Sequence, residues 1–137
     1  MFALALTDLN QEVVILARDA AGMKPLYYHT DAEGNFMVAS ELNALVKCMD
    51  KPTLHQEAAS ALLRYKYSAA PLTIVKDVFE LVPGQYLIWN KGNIELGTWA
   101  AKVNERPHLH IVQHKLKEVF LNGVASETSG VSNPAVL

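Results

Sequence analysis

Up to Ser40 the apolar side chains fall in short runs broken by turn residues, the pattern of paired strands. Phe2 to Thr7 and Val13 to Ala17 flank Asp8-Leu9-Asn10-Gln11, and the β-branched Val13-Val14-Ile15 favours a pleated, half-buried surface over a helix. This predicts a first hairpin. Pro25 to Thr30 and Phe36 to Ser40 flank Asp31-Ala32-Glu33-Gly34-Asn35, where Gly and Asn can take the positive φ of a tight reversal, and so predict a second.

After Ser40 the period lengthens to a helical one. Leu42, Leu45 and Val46 share a face and Ser40 stands as N-cap, predicting a short helix over Glu41 to Cys48 that Pro52 prevents from continuing. Thr53 with Gln56 three residues on has the spacing of a capping box, and Leu54, Ala58, Ala61, Leu62 and Tyr65 recur at helical intervals, predicting a second helix over about Leu54 to Tyr65. Pro71, Pro83 and Gly84 punctuate a loop-rich link whose Ile74, Val75, Val78, Phe79 and Leu81 should lie across the core. Gln85 to Trp89 and Ile94 to Trp99 alternate around Asn90-Lys91-Gly92-Asn93 as a third hairpin. Beyond Pro107, Leu109, Val112, Leu116, Val119 and Phe120 make an amphipathic stripe ending at Asn122-Gly123, and the polar stretch Ser126 to Leu137 reads as a frayed tail.

The 137 residues carry 12 Lys plus Arg against 14 Asp plus Glu, a net charge of -2, with half of the residues hydrophobic. One domain with an ordinary apolar core fits this length. Acids outnumber bases, so the counterion-releasing surface that nucleic-acid binding needs is missing, and the nucleic-acid reading is set aside. The lone Cys48 excludes an intramolecular disulfide and a Cys-rich zinc knuckle, and it reads as a small buried hydrophobe at the end of a helix. MFALALTD has no basic flank and meets an Asp too early for a signal peptide or a span of ~20 residues, so a cytoplasmic location without membrane contact is expected.

LARDAAGMKPLYY, then VASELNAL, then LRYKYSAAPLTIVKDVFELVPGQYLIW resemble the glutaminase domain of asparagine synthases, within the class II glutamine amidotransferases. The resemblance covers about Met1 to Trp99 and rests on Arg18-Asp19, Gly22, Lys24-Pro25-Leu26-Tyr27-Tyr28 and Ser40-Glu41. Pro71, Thr73-Ile74 and Pro83-Gly84 point to the asparagine synthase branch. It implies an α+β fold, part of the N-terminal-nucleophile (Ntn) hydrolase αββα sandwich, with antiparallel sheet and flanking helices. In physical terms Gly22 suits a turn needing a residue without Cβ and Pro25 fixes φ where a strand resumes. The charges of Arg18 and Asp19 read as a solvated or ion-paired strand end, and Glu41 as an acid near a helix N-terminus.

The family hydrolyses glutamine with an N-terminal cysteine whose α-amine is the base, whereas here Phe2 follows Met1. Its Asn-Gly-Glu and Gly-Ser-acid substrate segments do not occur, so no catalytic residue is carried over and the matched positions are structural. The synthetase domain's Ser-Gly-Gly-x-Asp-Ser loop is absent too, since Thr128-Ser129-Gly130-Val131-Ser132 lacks its second Gly and its Asp. ATP and Mg belong to that domain of the parent enzyme, so no cofactor is expected within these residues. The expected organisation is the C-terminal portion of a glutaminase domain over 1–99, a linker and amphipathic helix over 100–125 and a tail over 126–137. A truncated remnant inactive by itself, a complementing subunit of a split amidotransferase and a non-catalytic interaction domain are the three functions this implies. The Met1 to Thr7 strand, central in a whole domain, would then expose an edge that invites a complementing half or self-association.

Two further constellations stand outside the resemblance. His108, His110 and His114 form H-x-H-x-x-x-H, and on a helix His110, His114 and Glu118 share a face with metal-binding spacing, although a polar face of an amphipathic helix looks the same. Trp89, Trp99 and Tyr86 fall on the third hairpin and read as packing, not as a base-stacking platform.

Overall fold

A computed structural model describes residues 1–100, 109–130 and 132, with side chains of the last helix described from Lys115 onwards. The chain divides into two compact units, Met1–Ala101 and Lys102–Leu137. Seven strands and two helices make the first: β1 (Ala3–Asp8), β2 (Val13–Arg18), β3 (Tyr27–Thr30), β4 (Phe36–Ala39), α1 (Leu42–Cys48), α2 (Gln56–Tyr65), β5 (Val78–Glu80), β6 (Gln85–Asn90) and β7 (Asn93–Thr98). The second contains α3 (Leu109–Thr128). No helix among the described residues is long and apolar enough to cross a membrane.

The three expected hairpins all form. They are distributed over two antiparallel sheets, one ordered β1-β2-β6-β7 and the other β4-β3-β5. In the third hairpin Lys91 and Gly92 both take positive φ, 47° and 87°, as a two-residue reversal between right-twisted strands demands. The sheets meet through Leu16 and Leu87 of the first and Tyr28 of the second, with Leu26 and Leu81 completing the buried core. Phe36 of β4 bridges the layers by stacking on Trp89 of β6 at 5.4 Å, and within the smaller sheet Tyr28 lies against its cross-strand partner Phe79 at 5.7 Å. The tryptophan ring is thereby a piece of the core, as its alternation in the hairpin suggested.

Four boundaries differ from the expected ones, each for a local reason. The link around Val78 is not loop throughout, because Val78 to Glu80 pair with Tyr27 to His29 as the third strand of the smaller sheet. Ser40 does not cap α1; strand pairing continues to Ala39, and extended Glu41 is the N-cap, with no side-chain cap bond. Nor does Thr53 cap α2. Its carbonyl accepts from Lys76 N–H at 2.9 Å while His55 N–H donates to Ile74 at 2.9 Å, a short ladder that holds 53–55 extended. The helix starts two residues later, with the His55 ring accepting from Ala58 N–H at 3.3 Å. In the second unit α3 runs through Asn122-Gly123 to Thr128, so part of the expected tail is helical. An interior Gly costs a helix only about 1 kcal/mol against Ala. The left-handed residue past the end is Gly130 instead, at φ 83°.

Candidate functional site

Five of the family-motif residues converge where β2 ends. Asp19 is buried, and its carboxylate accepts from three backbone N–H groups: Phe2 at 2.8 Å, Ala21 at 2.9 Å and Gly22 at 2.7 Å. Its carbonyl accepts from the N–H groups of Gly22 and Gly84 at 3.1 and 3.0 Å, and its own N–H donates to the Phe2 carbonyl at 3.0 Å. One residue thus ties β1, the bend after β2 and the entry to β6 together. The Phe2 N–H foremost, then those of Gly22, Ala21 and Met23, outweigh partial desolvation and hold this carboxyl below the usual carboxylate range. Gly22 sits at φ 65°, and a Cβ there would enter the Pro83 ring, so the bend requires glycine twice over.

Arg18 is buried as well, so of the solvated or ion-paired strand end expected from the sequence it is the ion-paired form that the structure shows for this residue. Its guanidinium donates to Glu80 Oε1 at 2.7 Å, to the Leu81 carbonyl at 2.6 Å and to the Gly22 carbonyl at 2.8 Å. Burial without partners would be prohibitive for this charge, and the apolar neighbours of Glu80 place the needed carboxylate at the right depth. Burial first, then the Glu80 charge, with Arg18 opposing, raises the nearby Tyr27 hydroxyl above its ordinary pKa. Trp99 Nε1–H donates to the Arg18 carbonyl at 3.0 Å and its ring stacks on Phe2 at 5.8 Å. Gly84, buried at φ 75°, passes so close to Ala100 that a side chain would collide.

Arg18, Asp19, Gly22, Pro83 and Gly84 therefore form one cluster. Lys24, Ser40 and Glu41 are exposed and stand apart from it, while Pro25 leads into the core residue Leu26. Sequence reasoning missed Glu80; an acid between Phe79 and Leu81 inside an apolar run was its available signal. Three backbone donors on the Asp19 carboxylate and three acceptors for the Arg18 guanidinium, whose Nε is left without a partner among the described residues, make the cluster a latch between strands.

A cleft of about 660 Å³ opens on the smaller sheet, lined by residues that include His29, Thr30, Asp31, Cys48, Asp50 and Asp77. His29 is buried, and its Nδ1 lies 2.8 Å from the Asp77 carbonyl. A carbonyl only accepts, so Nδ1 carries the hydrogen. Cys48 is exposed, contrary to its expected burial: it lies roughly a third of a turn from the centre of the Leu42, Leu45 and Val46 stripe. Among the described residues no hydrogen bond joins its thiol to a base, and no three His, Cys, Asp or Glu side chains are grouped to hold a metal. Glu118 is exposed on α3; His108 and the side chains of His110 and His114 lie outside the described residues.

Residues 1–100 match the glutamine amidotransferase domain family over their whole length. The chain belongs to that family. Among its relatives, asparagine synthetase [glutamine-hydrolyzing] 1 of Bacillus subtilis is 32% identical over 108 residues, which are 78% of this chain and 17% of the relative. A putative asparagine synthetase [glutamine-hydrolyzing] 2 of Methanocaldococcus jannaschii is 26% identical over 99 residues, 70% of this chain and 19% of the relative. The amidase chyE of Penicillium rubens is 33% identical over 87 residues, 64% of this chain and 12% of the relative. The chain thus spans less than a fifth of the length of these relatives. Its amidotransferase domain is of class II, asparagine synthase type, and the Arg18-Asp19 cluster is the part of that domain in which Arg18, Asp19, Gly22, Pro83 and Gly84 meet.

Proposed function

We propose that these 137 residues act as the scaffold portion of a class II glutaminase of asparagine synthase type and do not hydrolyse glutamine by themselves. The carrying observation is Cys48: the sole thiol is exposed on α1, in mid-chain, with no base bonded to it among the described residues. A class II nucleophile needs an N-terminal amine beside the sulfur as its base, and a mid-chain cysteine has none of its own. Two antiparallel sheets facing each other, with α1 on the smaller one, support an Ntn-hydrolase αββα arrangement as the parent fold. The parent reaction, ATP-driven amidation of aspartate with glutamine nitrogen, belongs to sequence beyond these residues, as do ATP and Mg, and a cytoplasmic setting goes with it.

The outward face of the larger sheet favours a second reading. Register places Leu4, Leu6, Val13, Ile15, Tyr86 and Ile88 on the face opposite Leu16 and Leu87, so this sheet is apolar on both sides. A complementing amidotransferase half that covers that face would make the chain one subunit of a split enzyme. Glutamate release from purified chain tests the first reading; none above a buffer control is expected. Release that is abolished by Cys48→Ala would overturn it.

A further inference from the structure

The cleft on the smaller sheet is built around a histidine whose ring the fold employs at one nitrogen only. Alternation on β3 sets His29 on the face opposite the core residue Tyr28, between its register partners Met37 and Val78. The residue is 7% exposed. Its Nδ1–H donates to the Asp77 carbonyl, which leaves Nε2 a lone-pair acceptor. Among the described residues no hydrogen bond engages Nε2, and the fully enclosed polar side-chain atoms without a partner are Arg18 Nε, Thr30 Oγ1 and Trp89 Nε1, so Nε2 is not sealed in. The small accessible part of the ring therefore includes this nitrogen, and the space it reaches is the cleft that His29 lines. Polar atoms inside a fold are nearly always bonded, and this lone pair has no donor from the described protein.

The rest of the lining selects the kind of donor. Four acids, Asp31, Glu33, Asp50 and Asp77, line the cleft against one base, Lys51. The carboxylates of Asp31 and Glu33 already accept from Asn35 Nδ2, at 2.8 and 3.3 Å, and so contribute mainly charge. Those of Asp50 and Asp77 accept no hydrogen bond among the described residues. Lys51 pairs with neither, since the ion pairs there join Arg18 to Glu80 and Lys91 to Glu12. Met37 and Met49 add soft, apolar wall. An anion would meet repulsion, and a neutral donor would leave the excess negative charge uncompensated.

We propose that this cleft binds a small organic ammonium ion with an alkyl stem, its N–H groups donating to His29 Nε2 and to the carboxylates of Asp50 and Asp77 and its stem lying against the methionines. A primary ammonium has three donors and no acceptor, which matches three unused acceptors and an acidic surround. The volume of about 660 Å³ lies within the range of about 300–1,000 Å³ usual for small-molecule sites. A metal ion fits the same residues less well. It would need its ligands gathered within about 2.0–2.3 Å of one point, and no three His, Cys, Asp or Glu side chains among the described residues are grouped in that way. The hydrogen bonds of an ammonium are longer, about 2.7–2.9 Å, and they tolerate a wider spread of acceptors.

Titration of the full chain with n-butylammonium chloride, followed by the nitrogen chemical shifts of the His29 ring in NMR spectra, tests this. Saturable binding in the millimolar range, with the Nε2 resonance displaced, is expected. Tetramethylammonium carries the charge without N–H donors, and n-butyrate carries an alkyl stem with the opposite charge; each should bind about tenfold or more weakly than n-butylammonium. Asp77→Asn removes a charge while keeping a residue that accepts φ 63° and a carbonyl for the His29 ring. Combined with Asp50→Asn it should weaken n-butylammonium about tenfold or more, and His29→Phe should do the same where circular dichroism shows the fold retained. Glu95→Gln, on β7 of the other sheet, lowers the net acidity equally and should change the affinity less than about twofold. An unmoved His29 ring, equal binding of tetramethylammonium, or equal losses in Glu95→Gln and the double Asn variant would overturn the proposal. None of these readings uses glutaminase activity, so the proposal stands or falls apart from the proposed function.

Discussion

Arg18 and Glu80 offer the sharpest measure of how the amidotransferase scaffold is held. The guanidinium side chain is 6% exposed and the carboxylate 19%, with 2.7 Å between them. Glu80→Gln keeps an acceptor but removes the charge, and the bond falls from the charge-assisted to the neutral class, a loss of about 1–2 kcal/mol. Arg18→Met removes all three hydrogen bonds and strands the Glu80 carboxylate and the carbonyls of Leu81 and Gly22. Breaking a buried pair costs about 3–5 kcal/mol, and the partial exposure of Glu80 places this case near the lower end. A loss of about 3 kcal/mol is a large share of a stability of 5–15 kcal/mol, and should lower Tm by about 12–24 °C for a domain of this size. Adding Glu80→Leu to Arg18→Met removes the orphaned charge but not the orphaned carbonyls, so the double variant should regain about 1 kcal/mol and no more than part of the loss. Urea unfolding followed by tryptophan fluorescence reads all three, since Trp89 lies on β6 and Trp99 donates to the Arg18 carbonyl. If Arg18→Met unfolds within about 0.5 kcal/mol of the wild type, the guanidinium is hydrated in solution and the latch does not exist.

Asp19 supplies an acid limb to stability: its folded carboxyl titrates below the ordinary value, so its contribution is present above the unfolded pKa near 3.9 and is lost as pH falls through the folded one. The urea midpoint should therefore drop more steeply between about pH 5 and 3 in the wild type than in Asp19→Asn, and equal slopes would refute the three-donor grip. Gly22→Ala should cost about 2 kcal/mol or more, from the left-handed φ and the Pro83 ring, whereas Gly34→Ala, at φ 87° with open space around it, should cost about 1 kcal/mol; equal losses would remove Pro83 from the account.

Much of this was legible in the chain itself. Alternation located the three hairpins because strand faces repeat every second residue, and the turn residues Asn and Gly marked the reversals between them. The ordered motif around Arg18-Asp19, Lys24-Pro25 and Pro83-Gly84 points to the amidotransferase family by itself, because glycine and proline at a bend are demanded by backbone geometry that any member must reproduce. Helix starts were less legible. Thr53 has every local mark of a cap, yet the ladder between 53–55 and 74–76 holds it extended, and such pairing is invisible to a short window. The same holds for Cys48, whose exposure depends on which side of α1 meets the sheet.

Only the tertiary structure decided that Arg18 is buried and that its partner is Glu80, 62 residues away. Local sequence specifies the backbone's preferences residue by residue, because those arise from sterics and from neighbours one to four positions apart. A buried charge is different: its partner is chosen by the folding of distant segments onto one another, and the cost of leaving it unpaired selects that arrangement only after the sheets have met.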